Sequence, residues 1–267
     1  MSTLDALTTF DRTTSFTRDG RDPFVVQAML DESWSSLRGI HGGYLAALAV
    51  RAAETHLEAR EVRSITTSFL RPAAIGPARL TLTPVREGRN ITTLAVTIEQ
   101  EGTVAIARVT ATRTGAEGTT WERARPLDLY PVEACVPLYP PAGVRHFEQA
   151  HALLDPRGVP FSGGSEERIG GYVRPAAPRP IDAAWLAMIA DWFPPSAFVV
   201  HEPPTGGVSV DYTVHVHRTL SGLAPDEWIA ARFEAPVSNR GLALEHGIVV
   251  SPGGETLAES FHTRWTA

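Results

Sequence analysis

The pattern of hydrophobic and polar residues predicts one helix followed by a series of strands. Residues 42–59 (GGYLAALAVRAAETHLEA) are rich in Ala and Leu and apolar on every side in their first half, which predicts a buried helix. Alternating or β-branched segments follow, as is typical of half-buried antiparallel strands. These strands are predicted at 62–70, 78–86, 90–99 and 104–113. Turn residues such as Arg71-Pro72 and Glu87-Gly88 separate them.

The same order of elements returns in the second half of the chain. The pattern there predicts one helix and four strands, at 181–192, 207–218, 228–235, 242–250 and 256–265. Opening strands are predicted before each helix, at 24–30 and 166–173. Short segments of the two units also align: Ser68-Phe69-Leu70-Arg71 corresponds to His215-Val216-His217-Arg218 at an offset of 147 residues. The sequence therefore predicts an internal duplication.

A proline-rich segment separates the two units. Residues 126–160 contain PLDLYPVEACVPLYPPAG and LLDPRGVP, with one short predicted helix at 144–154. We interpret this segment as a linker that runs over the surface. The predicted domains are 1–115 and 161–267, joined by the linker 116–160.

Composition and charge narrow the classes of function. The 267 residues are 43% hydrophobic and 20% charged, as in ordinary globular proteins. The net charge of −6, with dispersed Lys and Arg, argues against nucleic-acid binding. No apolar run approaches the roughly 20 residues that cross a bilayer, and no signal peptide is visible. Because Cys135 is the only cysteine, we expect no disulfide and no cysteine metal cluster, and we expect a cytoplasmic protein.

Several short motifs, taken in order, resemble the acyl-CoA thioesterase II (TesB-like) double hotdog family. They are GG at 42–43, SFLRP at 68–72, VREGRN at 85–90, VDY at 210–212, DEW at 226–228 and RG at 240–241. The resemblance implies an α+β fold, a tandem (double) hotdog in which each unit wraps a curved antiparallel sheet around a long central helix. It implies no cofactor, and by analogy we expect a homodimer.

The resemblance also implies hydrolysis of acyl-CoA or acyl carrier protein thioesters by an aspartate-activated water. It assigns the aspartate to Asp211, the position of a family glutamine to His262, and a hydroxyl group to 236–239, where Ser238 is the nearest candidate. His262 would bring a group that titrates near neutral pH to this water. Alternatively, Asp211 faces solvent or pairs with Arg218.

The candidate oxyanion site is His41-Gly42-Gly43, at the start of the first predicted helix. Free N–H groups at a helix N-terminus stabilise negative charge, and glycine lets a substrate approach closely. The same glycines would also suit tight packing of helix against sheet. His215 and His217 share a strand face, but no third ligand follows at a recognisable spacing, so no metal is expected.

Two other classes of function stay open from the sequence. A non-catalytic acyl-CoA-binding double hotdog protein would account for His262 in place of glutamine. A hydratase or dehydratase is a minor alternative, since the Asp-x-x-x-x-His arrangement is absent from a suitable loop. A serine hydrolase is disfavoured because Gly163-Gly164-Ser165-Glu166-Glu167 lacks the last glycine of a nucleophile elbow.

Overall fold

We describe residues 8–116, 118–123, 126–201 and 207–266 of a computed structural model of the chain. The helices are α1 (Thr9–Thr13), α2 (Gly42–Glu54) and α3 (Ala183–Ile189). The strands of the first half are β1 (Thr17–Arg18), β2 (Val25–Leu30), β3 (Ser35–Ser36), β4 (Gly39–Ile40), β5 (Arg60–Phe69), β6 (Gly76–Glu87), β7 (Ile91–Glu99) and β8 (Thr103–Arg113). Those that follow are β9 (Val136–Pro137), β10 (Ala150–Leu154), β11 (Arg168–Pro175), β12 (Val208–Val216), β13 (Ile229–Asn239), β14 (Leu242–Val250) and β15 (Thr256–Trp265).

Within the described residues, thirteen strands form one antiparallel sheet. Their order is β1-β2-β6-β7-β8-β5-β12-β15-β14-β13-β11-β10-β9, and β3 and β4 form a separate hairpin. The two halves meet where β5 pairs with β12. At this junction the hydroxyl of Thr213 donates to that of Thr66 over 3.1 Å. A single sheet therefore runs through both units.

The sheet encloses the two central helices. The side chains of α2 are mostly Ala, Leu and Val, and all but three of its thirteen residues are buried. All seven residues of α3 are buried as well, and the two helices pack against each other. One apolar core consequently spans both halves. Among the described residues, no helix is both long enough and apolar enough to cross a lipid bilayer.

The predicted strands are confirmed, whereas both helices are shorter than predicted. α2 ends at Glu54, where Thr55 Oγ1 donates to the carbonyl of Ala52. α3 has seven residues, so the prediction of a long central helix is wrong for the second unit. Pro194-Pro195, which cannot continue a helix, follow closely.

The proline-rich segment is not only a surface linker. The helix predicted at 144–154 is wrong: a 3-10 helix at His146–Gln149 is followed by strand β10. β10 pairs with β11 on one side and β9 on the other. His146 and Leu154 are buried. The segment thus covers the edge of the second half and closes part of its core, since its apolar side chains are removed from water there.

Candidate active site

A buried carboxylate lies where the end of α3 meets the beginning of α2. Asp191 lies two residues after the last residue of α3, and its side chain is 6% exposed. One carboxylate oxygen, Oδ2, accepts from the backbone N–H of Gly43 at 2.9 Å. The other, Oδ1, accepts from Nη2 of Arg264 at 3.1 Å. The positive end of the α2 dipole therefore faces a carboxylate with a fixed orientation.

His41 joins the two helices beside this carboxylate. As the N-cap of α2, its Nδ1 accepts from the N–H of Tyr44 at 3.3 Å. Nε2 must then carry the hydrogen, and it donates a hydrogen bond to the backbone carbonyl of Asp191 at 2.9 Å. Burial lowers the pKa of His41 to about 4, so the ring is neutral at neutral pH.

His262 presents a second neutral ring to the same carboxylate. It lies on β15, stacks at a tilt on Tyr212 with ring centroids 4.9 Å apart, and is 1% exposed. Nδ1 is 3.3 Å from Oδ1 of Asp191, yet neither ring nitrogen makes a hydrogen bond to the described residues. Burial, with the nearby Arg264 guanidinium, lowers the pKa of His262 to about 3. A neutral imidazole with unused hydrogen-bonding capacity therefore adjoins Asp191.

A second buried carboxylate completes the polar cluster. Nε of Arg264 donates to Oε1 of Glu245 at 2.7 Å. Oε2 of Glu245 accepts from the backbone N–H of Ser196 at 2.7 Å, at the start of a 3-10 helix, Ser196–Val199. We call Asp191, Arg264, Glu245, His41 and His262 the interhelical cluster.

Aromatic rings cover one side of the interhelical cluster. His146 stacks on His41 with ring centroids 4.2 Å apart. Trp192 meets both rings edge-on, at 5.4 Å from His146 and 6.2 Å from His41. Burial, followed by the neighbouring His41, lowers the pKa of His146 to about 2. The segment between the units thus contributes directly to the surroundings of Asp191.

Sequence comparison identifies both halves of the chain. The acyl-CoA thioesterase N-terminal domain matches residues 30–114, and the acyl-CoA thioesterase C-terminal domain matches residues 110–265. The chain belongs to the acyl-CoA thioesterase family. It is a thioester hydrolase, which confirms the class of enzyme predicted from the motifs. A comparison with curated proteins found no match.

Solved structures share the fold of this thioesterase. A conserved hot dog fold protein from Alicyclobacillus acidocaldarius is 24% identical over 98% of both chains, with a TM-score of 0.87. Acyl-CoA thioesterase II TesB2 from Mycobacterium marinum is 23% identical over 97% of this chain and 98% of that one, with a TM-score of 0.76. The TesB protein of Mycobacterium avium subsp. paratuberculosis is 18% identical over the same shares, with a TM-score of 0.77. These likenesses confirm the tandem hotdog fold.

Asp211 lies outside the interhelical cluster of this thioesterase. On β12, Tyr212 points inward and donates its hydroxyl to the carbonyl of Ala187, so its neighbour Asp211 points to the outer face. There Asp211 accepts from the hydroxyl of Thr263 at 2.9 Å. His262 precedes Thr263 on β15 and points inward. The prediction that Asp211 and His262 act on one water is wrong, because they occupy opposite faces of the sheet.

The predicted hydroxyl group also lies elsewhere. Ser238 is exposed near the end of β13, and its Oγ is 3.5 Å from Oγ1 of Thr266. Ser209, in contrast, is half-buried and lies opposite Arg264 in the β12–β15 ladder. Cross-strand partners project to the same face, so Ser209 lies on the face that carries the interhelical cluster.

The two glycines that open α2 have different surroundings. A Cβ on Gly43 would lie 2.6 Å from the carbonyl oxygen of Met188 and 2.9 Å from Cε1 of His41. Its N–H is already bonded to Asp191. Gly43 therefore serves the packing of α2 against α3. Gly42 is half-buried, and its N–H donates to none of the described residues. Gly42 is therefore the remaining candidate for a donor to the oxyanion.

Replacing Gly43 by Ala is expected to lower the free energy of unfolding by about 1–3 kcal/mol, because the new methyl group forces α3 away from α2. Gly42→Ala is the matched control, since the nearest atoms to its Cβ would be side-chain atoms, Oδ2 of Asp191 and Cζ of Phe69, each at 3.1 Å and so farther than the backbone contact at Gly43. Urea unfolding of both variants measures the difference. Equal loss of stability would contradict this view of α2–α3 packing.

Asp191 and His146 were not among the site residues predicted from the sequence. Asp191 is the acidic residue that ends the apolar run 183–190 (AAWLAMIA). A carboxylate in such a run must be paired or functional, because an unpaired buried charge is very costly. That signal was available from the sequence. His146 lies in the segment interpreted as a surface linker, where nothing in the pattern indicates burial.

Proposed function

We propose that this protein hydrolyses acyl-CoA thioesters with Asp191 as the carboxylate that activates the attacking water. The observation that supports this role most strongly is the position of Asp191. It is buried at the N-terminus of α2, oriented by Gly43 and Arg264, and adjacent to a neutral His262 with unpaired nitrogens. Asp211, on the outer face, offers none of these neighbours.

In the proposed reaction, Asp191 takes a proton from a water molecule as the water oxygen bonds to the thioester carbonyl carbon. General base catalysis of this kind contributes about 10²- to 10⁴-fold to the rate. The carbonyl oxygen becomes negative and accepts a hydrogen bond from the Gly42 N–H at the α2 N-terminus. One such donor contributes about 10²- to 10³-fold to the rate. The C–S bond then breaks, the carbonyl re-forms, and the proton held by Asp191 passes to the departing thiolate.

His262 and a hydroxyl group orient the water in this proposal. The His262 ring is neutral above about pH 4, since burial holds its pKa at about 3, and it can donate one hydrogen bond and accept another. It therefore offers the same two functions as an amide side chain. The expectation that this group titrates near neutral pH is wrong. The hydroxyl role falls to Ser209 instead of Ser238 because Ser209 shares the cluster's face.

The same chemistry applies to any acyl thioester, so an acyl carrier protein is a second substrate class for the site. We favour acyl-CoA because both matched domains are acyl-CoA thioesterase domains. The homodimer and the cytoplasmic location stay predictions.

Release of free thiol from acyl-CoAs of several chain lengths tests the proposed function. The purified protein is expected to turn over at least one of them, with CoA appearing in proportion to the acid formed. Binding of acyl-CoA measured by calorimetry under the same conditions provides the control. Tight binding without thiol release would contradict hydrolysis and support the acyl-CoA-binding alternative.

A further inference from the structure

We propose that Arg264 and Glu245 form a buried charge pair that orients the Asp191 carboxylate for thioester hydrolysis and sets the electrostatic field around it. This inference rests on the proposed function. Both are positioning residues, since they act through Asp191 and need not touch the substrate.

The contacts form a continuous chain across three elements. Arg264 on β15 uses Nη2 for Asp191 and Nε for Glu245, at 3.1 Å and 2.7 Å. Glu245 on β14 accepts in turn from the N–H of Ser196, the first residue of the 3-10 helix Ser196–Val199. The side chains of Arg264 and Glu245 are 6% and 2% exposed. A rigid guanidinium fork thus connects the carboxylate at the end of α3 to the sheet.

Arg264 is the cation that faces Asp191 within the part of the chain that the structure describes. The titratable groups around Asp191 are His41 on α2, His146 on the 3-10 helix before β10, Tyr212 on β12, Glu245 on β14, and His262 and Arg264 on β15. Burial lowers the pKa of each of the three histidines to about 4 or below, so none of them carries charge at neutral pH. Burial raises the pKa of Tyr212, which keeps the phenol neutral as well.

The charges at the centre of the cluster are therefore two carboxylates and one guanidinium. An opposite charge within about 4–6 Å shifts the titration of a carboxyl group by about 1–3 pH units in favour of the ionised form. Arg264 is the opposite charge beside Asp191, at 3.1 Å, and Glu245 neutralises part of the same guanidinium. Glu245 also offsets the cost of burying Arg264, which alone would be an uncompensated charge.

Charge-changing variants test the pair through the pH dependence of kcat/KM for acyl-CoA, measured from about pH 4.5 to 9. Arg264→Gln is expected to move the acid limb upward by about one pH unit or more. Glu245→Gln is expected to move the acid limb downward, because it removes a negative charge from the cluster. The double variant restores the net charge of the wild-type cluster, so its acid limb is expected between those of the single variants. Arg264→Lys keeps the charge and is expected to leave the limb near its wild-type position while kcat falls, because an ammonium group cannot bind both carboxylates as a fork.

Reduced kcat in both single variants without movement of the acid limb would overturn the proposal, since a merely structural role predicts that result. If Arg264→Gln does not fold, Glu245→Gln and Arg264→Lys decide the question: an upward shift in either contradicts the charge pair. Asp191→Asn separates this failure from a wider one. If Asp191→Asn is inactive but the acid limbs of the Arg264 and Glu245 variants do not move, only the charge pair is contradicted. An active Asp191→Asn variant contradicts the proposed function itself.

Discussion

Asp191→Asn is expected to lower kcat for acyl-CoA hydrolysis by about 10²- to 10⁴-fold while acyl-CoA affinity stays near that of the wild type. Asparagine has nearly the same shape, and its oxygen can still accept from the N–H of Gly43. Arg264 keeps its bond to Glu245, so its charge stays paired. The amide cannot take a proton from water, and the loss should therefore fall on turnover.

Thiol release gives kcat for this variant, and calorimetry gives its affinity for acyl-CoA. A thermal unfolding curve close to that of the wild type serves as the control for folding. Turnover at the wild-type level would remove Asp191 from the mechanism.

Acid is expected to destabilise this protein steeply between pH 6.5 and about 4. Burial is the main cause of the lowered pKa values of His41, His146 and His262, about 4, 2 and 3 in the folded chain against 6.5 for an ordinary histidine. Below pH 6.5 the unfolded chain binds protons at these positions and the folded chain does not. Stability is therefore unaffected by them above pH 6.5 and falls as the pH drops, by about 1.4 kcal/mol per pH unit for each ring.

His146→Gln isolates one of these contributions. The variant is expected to show a shallower dependence of the unfolding free energy on pH over the same range, even if its stability at pH 7 is lower. The matched control is His151→Gln, because His151 is exposed on β10. Denaturant unfolding at a series of pH values gives both slopes. An unchanged slope in His146→Gln would show that His146 is not held neutral by burial.

Periodicity predicted the sheet well because strand period reports burial directly. β14 has the same bounds as its prediction, 242–250, and β12 lies within the predicted 207–218. Helix ends were less accurate: α3 spans Ala183–Ile189 within a predicted 181–192. Propensity does not indicate where tertiary packing stops a helix, and at this end a turn places Asp191 against α2.

The candidate site was only partly predictable. Gly42 and His262 were predicted from motifs, and in the structure both lie close to Asp191. Asp191 was missed because its partner Gly43 is 148 residues away in sequence, a contact that no local pattern reports. The outward position of Asp211 was nevertheless visible in the sequence. Tyr212, with Val214, sets the inner face of β12, which leaves Asp211 on the other.

The most direct test of the central claim compares Asp191→Asn and Asp211→Asn in one thiol-release assay at saturating acyl-CoA. Each variant removes one carboxylate from the second half of the chain, but only Asp191 lies in the interhelical cluster. The position of Asp191 predicts that Asp191→Asn loses turnover and that Asp211→Asn keeps turnover near the wild-type level. Loss of turnover in Asp211→Asn with activity retained in Asp191→Asn would contradict it.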